Sequence, residues 1–305
     1  MDSKPSFRSG FILLLGRPNV GKSTLLNRIL GQKIAIISDK PQTTRTRILG
    51  VKHLPEGQMV FFDTPGVHRP KYKLNQRMVQ VAVETLREVD LIFLVVEAEP
   101  WAASPGAWIG PGDQAILDLI EGIKTPVFLI VNKIDRVKKQ KLLPMIDSFS
   151  RSMKFAEVVP ISAQTGENVD ALLSVALPYL PQGDPIFPED TVTDQPARFI
   201  ASELIREKIL QNTRDEIPYS VAVSLEDFKE DQARNLLLLQ ATIYVERDSQ
   251  KGILIGQKGQ MLKEIGSAAR RELEGLFGVK VFLELWVKVK KDWRKDDLFL
   301  REMGL

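Results

Sequence analysis

The stretch Gly16-Arg-Pro-Asn-Val-Gly-Lys-Ser23 lies between an apolar run, Phe11–Leu15, and an amphipathic segment that opens at Thr24-Leu-Leu-Asn. Its spacing is G-x-x-x-x-G-K-[ST] in a strand–loop–helix setting. Few folds tolerate that setting. A buried strand must feed directly into a helix whose first N–H groups point at an anion. Gly16 and Gly21 let the backbone wrap phosphate oxygens, with Arg17, Pro18, Asn19 and Val20 forming the loop between them. Lys22 neutralises the phosphate charge, Ser23 offers an oxygen to Mg²⁺, and Thr24, opening the helix, is counted with them as nucleotide-binding.

Apolar runs then alternate with helical patterns as far as about Leu180: Phe11–Leu15, Met59–Phe62, Leu91–Val96, Val127–Val131 and Val158–Ile161. Such runs, separated by amphipathic stretches, read as buried parallel strands with crossover helices. The alternation implies a doubly wound, mostly parallel α/β sheet, with ligands at the carboxyl ends of its strands.

Further motifs fall at those ends. Asp63-Thr-Pro-Gly66 follows the strand Gln58–Phe62, so Asp63 is a Mg²⁺ carboxylate and the Gly66 N–H a γ-phosphate sensor. Thr64, Pro65 and Val67 line the same nucleotide. Asn132-Lys-Ile-Asp135 ends the run Val127–Val131. A carboxylate at Asp135 can accept from both guanine N1–H and the 2-amino group, whereas adenine would leave it desolvated and unpaired. Asn132 supports the base edge and Lys133 packs across the ring. Ile161-Ser-Ala163 follows the next strand, where Ser162 and the Ala163 N–H meet the base, the latter at guanine O6. Between the first two motifs, Pro41-Gln-Thr-Thr-Arg-Thr46 supplies a mobile threonine, Thr43 or Thr44, to bind Mg²⁺ only when the γ-phosphate is present. The expected cofactors are GTP or GDP and Mg²⁺. Lys22, Thr43 or Thr44, Asp63 and Gly66 are expected to carry hydrolysis.

A chain of 305 residues holds about two domains. Four prolines, Pro181, Pro185, Pro188 and Pro196, mark a semi-rigid linker over residues 181–196. It separates a nucleotide domain, 1–180, from a second domain, 197–305. In the second part Arg198–Leu210 reads as helix, and Tyr219–Leu225 and Thr242–Glu246 as strands. Leu262, Ile265, Ala269, Leu273 and Leu276 keep helical spacing. The odd residues Val279–Val289 share one face of a last strand, opposite Lys280, Glu284 and Lys288. The order is helix, strand, strand, helix, helix, strand. Net charge is only +3, but Arg247–Lys295 holds twelve Lys/Arg against six Asp/Glu. Within that basic segment Gly256-Gln-Lys-Gly259 is a G-x-x-G, a loop that lets a nucleic-acid backbone approach main-chain N–H groups, with Lys258 near phosphates. Lys251 and Lys263 flank it. There is no cysteine, hence no disulfide or thiolate chemistry. The start lacks a signal-peptide core, and no apolar run is long enough to span a bilayer. A cytoplasmic monomer is expected.

With these residues in place the chain resembles the Era-type GTPases, bacterial ribosome-assembly factors, over nearly its whole length. The motifs above carry the resemblance, with Ile217-Pro-Tyr-Ser-Val-Ala-Val223, Ile243–Gly252 and Val281-Phe-Leu-Glu-Leu-Trp-Val-Lys-Val289 in the second part. It implies a P-loop GTPase domain followed by a smaller α+β type II KH domain. The implied partner is single-stranded RNA, the 3′ end of small-subunit ribosomal RNA, in small-subunit assembly. Two features depart from general patterns. The segment Glu99–Pro111, with Trp101 and Trp108, looks longer than in the family, and the two indoles serve either a partner-binding patch or, as the favoured role, local packing of a proline-rich loop. Val67 stands where Ras-type GTPases place a water-orienting glutamine, as in this family. Valine cannot orient water, so hydrolysis is expected to be slow and to use backbone groups, the switch threonine and Mg²⁺, with Asn19 either helping to hold a K⁺ ion beside the phosphates or only shaping the loop. Two other readings compete. One is a peripheral membrane GTPase whose basic end, Lys288–Lys295, touches anionic lipid. The other is an RNA chaperone with a purely structural nucleotide site.

Overall fold

The computed structural model describes residues 7–67, 73–99 and 107–305. They form two compact units. The first is built from the chain up to Asp194, and the second from Gln195–Leu305. Ile36–Thr43 and a short segment ending at Asn75 cluster with the second unit.

In the first unit the elements run β1 (Arg8–Leu15), α1 (Lys22–Leu30), β2 (Ile48–Leu54), β3 (Gly57–Asp63), α2 (Lys73–Thr85), β4 (Leu91–Glu97) and α3 (Pro111–Leu119). They continue through β5 (Val127–Asn132), α4 (Leu142–Ser152), β6 (Glu157–Pro160) and α5 (Val169–Ala176). The six strands pair in the order β2-β3-β1-β4-β5-β6. All pairs are parallel except β2 with β3, which is antiparallel and joined by a tight turn at Pro55-Glu56. This edge strand has no counterpart among the expected apolar runs. Central strands are buried on both faces: every residue of β3 and β5 is enclosed. Parallel pairing therefore brings the ends of β1, β3, β4 and β5 to one edge of the sheet, where loops 16–21, 63–67 and 132–135 emerge. Trp108, partly buried, packs against this core, while Trp101 lies outside the described residues.

In the second unit α6 (Ala197–Asn212) and the one-turn α7 (Ile217–Ser220) precede β7 (Ala222–Asp231) and β8 (Leu236–Val245). Then come α8 (Asp248–Ile255), α9 (Gln260–Phe277), β9 (Lys280–Val289) and α10 (Asp297–Glu302). The sheet order is β7-β8-β9, the first pair antiparallel and the second parallel. The structure winds Tyr219 and Ser220 into α7, where Pro218 fits a first helical turn, so β7 starts at Ala222. α9 buries Ile265, Ala269 and Leu273 against the sheet, the middle of the stripe its spacing predicts, while Leu262 is half-buried and Leu276 at the end is exposed. In β9 Val281 and Val287 face the core, and Phe282 and Trp286 are exposed on the other face. Ile36 joins this unit's core, and the Ile37 N–H donates to Glu207 at 2.7 Å.

Candidate nucleotide and RNA sites

The loop after β1 turns through Gly21 at φ 99°, a conformation that strains any side chain. A Cβ there would stand 2.3 Å from Asn132 Nδ2, so glycine is also required sterically. Lys22 opens α1 and is buried, with Nζ donating to the Gly16 and Arg17 carbonyls, each at 3.1 Å. Burial lowers its pKa to about 8, a fall opposed by the Asp63 carboxylate.

Three oxygen side chains converge beside it. Ser23 Oγ donates to Asp63 Oδ2 at 2.5 Å and lies 2.9 Å from Thr44 Oγ1, which is 3.4 Å from the same carboxylate oxygen. Asp63 is fully buried. Desolvation pushes its carboxyl above the usual range, against the pull of Lys22 and the two hydroxyls. Its other oxygen, Oδ1, is buried without a protein hydrogen-bond partner. An orphaned carboxylate oxygen among hard hydroxyl ligands is what a small divalent cation and its waters would satisfy. Thr43 is turned elsewhere: its hydroxyl donates to the Lys40 carbonyl at 2.6 Å, and its own carbonyl accepts from Arg206. Thr64 donates to the Leu14 carbonyl at 3.1 Å and the Val67 N–H to the Gly16 carbonyl at 3.3 Å. A Cβ on Gly66 would lie 2.5 Å from the Pro18 nitrogen, so the two loops touch there. Asn19 is exposed.

The residues expected to meet the base gather at the ends of β5 and β6. Asn132 Nδ2 donates to the Val20 carbonyl at 2.8 Å, and its Oδ1 accepts the Ala163 N–H at 2.9 Å. Asn132 thus laces the phosphate loop to the loop after β6, a structural task beyond supporting a base edge. The Ala163 N–H already has an acceptor, so donation to guanine O6 would require sharing or exchanging it. Ser162 Oγ donates to Asp135 Oδ1 at 2.6 Å and fixes an otherwise exposed carboxylate. Lys133 adopts φ 66° and pairs with Glu97 at 2.6 Å. Sequence reasoning missed two side chains here. Glu97, the last residue of β4, anchors Lys133. Arg28 of α1 donates to the Ala163 carbonyl at 3.2 Å and to the Gln164 carbonyl.

In the second unit the G-x-x-G joins α8 to α9. Gly256, Lys258 and Gly259 all have positive φ, and Gln257 and Lys258 are exposed. A groove of about 370 Å³ runs from Gly259 between α9 and the edge strand β9. Leu262, Leu283 and Leu285 give it apolar walls, and Lys263 and Arg270 give it positive charge. Lys251 is half-buried on α8 and does not line the groove. Toward the chain's end, Lys290 pairs with Asp296, Lys295 with Asp292 and Arg294 with Glu246. No helix among the described residues is long and apolar enough to cross a membrane.

Residues 11–133 match the family of 50S ribosome-binding GTPases, and residues 216–294 match the KH domain. Over 298 residues the chain is 54% identical to GTPase Era of Geobacter metallireducens, covering 98% of each protein. The chain belongs to the Era family of GTPases. Era of Ruminiclostridium cellulolyticum is likewise 54% identical, over 98% of both chains. The structure resembles a crystal structure of Era with MgGDPNP and nucleotides 1506–1542 of 16S ribosomal RNA. The TM-score is 0.92 at 44% identity, with 98% of this chain and 99% of that one covered. It also resembles a single-substitution variant of Aquifex aeolicus Era bound to GDP and AlF4⁻, with a TM-score of 0.91 at 44% identity, over 97% and 99% of the chains. Fold and family therefore agree: a P-loop GTPase domain with a mostly parallel sheet, followed by a KH domain.

Proposed function

We propose that this chain is a GTP-hydrolysing switch that binds the single-stranded 3′ end of small-subunit ribosomal RNA during assembly of that subunit. The observation that carries the reading is one chain holding both the Ser23–Thr44–Asp63 oxygen cluster and the groove at Gly259. The similar Era structure, matched over 98% of this chain, holds MgGDPNP and nucleotides 1506–1542 of 16S ribosomal RNA together.

Ser23 and Thr44 would hold Mg²⁺ directly and Asp63 through water. The ion supplies charge neutralisation between the terminal phosphates. Of the two threonines we assign Thr44, because its hydroxyl is beside Ser23, whereas that of Thr43 is committed to Lys40. Lys22 holds the β- and γ-phosphates and the Gly66 N–H meets the γ-phosphate. Ser162 holds Asp135 ready to read guanine, and Lys133, steadied by Glu97, covers the ring. Val67 contributes no proton acceptor, which makes turnover slow. Asn19 would help bind K⁺ against the phosphates, so exchanging Na⁺ for K⁺ should raise the hydrolysis rate several-fold, and equal rates would remove this role.

In the KH domain the apolar walls of the groove suit bases, while Lys258, Lys263 and Arg270 suit phosphates. The ion pairs at residues 290–296 weigh against a lipid-binding basic end. The test is binding of a fluorescent RNA spanning nucleotides 1506–1542 to the intact chain with MgGDPNP. Replacing Gln257 and Lys258 together by Asp should abolish binding while leaving the melting temperature unchanged. Asp tolerates the left-handed backbone at 258 at least as well as Lys. Unchanged RNA affinity at moderate salt would reduce the G-x-x-G to an ordinary turn.

A further inference from the structure

Two residues at the amino end of α3, outside every motif above, hold the phosphate loop from the side. Asp113 is only 3% exposed, although it lies in the helix's first turn. Its Oδ1 accepts from Arg17 Nε at 2.7 Å. A buried carboxylate is tolerable when a cation of good geometry meets it, and here the cation is the second residue of the phosphate loop. Gly112 completes the arrangement. A Cβ on it would stand 2.7 Å from Arg17 Cδ and 3.2 Å from Cγ, so the stem of Arg17 lies across the bare Cα. With Nε tied to Asp113, that stem can move aside only by giving up the ion pair.

Arg17 is well placed to transmit this hold. Its carbonyl accepts from Lys22 Nζ, and its neighbour Pro18 abuts Gly66. The loop is therefore gripped by α3 on one side and by residues 63–67 on the other. We propose that Gly112 and Asp113 form a seat for Arg17 that fixes the phosphate loop, making Asp113 a positioning residue for nucleotide binding. The proposal rests on reading Gly16–Ser23 as the phosphate loop.

Gly112→Ala separates this role from a merely structural one. Alanine suits the helix, but its Cβ must push Arg17 aside, so the two effects offset and the melting temperature of the intact protein should change by only a few degrees. The seat predicts that it also weakens binding of fluorescent GDP by about tenfold, a size usual for coupling between touching residues. Arg17→Ala and Asp113→Asn should weaken GDP to a similar degree, and the double variant no further than the worse single one. If Asp113→Asn fails to fold, Arg17→Ala and Gly112→Ala decide. GDP affinity within twofold of wild type in both would overturn the seat. Wild-type protein that bound no GDP would fail earlier, at the phosphate-loop reading itself.

Discussion

The Asn132 side-chain amide donates to the Val20 carbonyl 2.8 Å away, while its carbonyl oxygen accepts from the Ala163 N–H. One side chain at the end of β5 thus holds two loops in register. Asn132→Ala would leave both backbone groups without these partners in a buried place. Each such loss costs about 1–3 kcal/mol, so GDP should bind at least roughly tenfold more weakly. Calorimetric titration of GDP checks this, and wild-type affinity in the variant would show that the lacing is dispensable.

Guanine selectivity is assigned to Asp135, whose carboxylate Ser162 orients at 2.6 Å. Asp135→Asn should lose GTP and gain xanthosine triphosphate, because the amide offers a donor to the acceptor at the xanthine 2-position. Competition between the two nucleotides reads the result. A variant that still prefers GTP would remove Asp135 from the base site.

Nucleotide affinity should fall in alkali because of Lys22. Burial lowers its pKa to about 8 in the free protein, whereas bound phosphates favour the ammonium form. Below pH 8 the group is already charged and affinity is flat. Above it, binding must take up a proton, so affinity drops by up to about tenfold per pH unit. Even if it binds less well, Lys22→Arg, charged throughout, should lack this slope up to about pH 9, above which guanine itself begins to lose its N1 proton. A flat wild-type profile from pH 7 to 10 would contradict the assignment.

Much of this arrangement is legible in sequence because chemistry fixes residue type and spacing together. Gly21, Lys22, Asp63 and Asp135 have the residue types and spacing that the proposed phosphate, cation and base contacts require, and parallel strands bring them to one sheet edge. The edge strand β2 escaped notice because Ile48–Leu54 keeps no clean alternation, although the turn at Pro55-Glu-Gly57 marked a hairpin. In β8 the run Leu236–Leu239 continues without a period and fits strand or helix equally. Arg28, Glu97 and Asp113 were invisible for another reason. Each meets a group far away in sequence, and a partner to a backbone carbonyl or a lone lysine needs no motif. The choice between Thr43 and Thr44 likewise depended on which hydroxyl the fold turns toward Ser23.

That choice leads to the most direct test, single-turnover hydrolysis of GTP at saturating Mg²⁺ by wild type, Thr43→Ala and Thr44→Ala. The account predicts slow but measurable Mg²⁺-dependent hydrolysis by the wild type, close to that rate for Thr43→Ala, and a loss of about a hundredfold or more for Thr44→Ala, the scale expected for a group stabilising transition-state charge. No hydrolysis by the wild type, or a Thr44→Ala variant as active as it, would contradict the claim that Ser23, Thr44 and Asp63 form the metal-dependent centre.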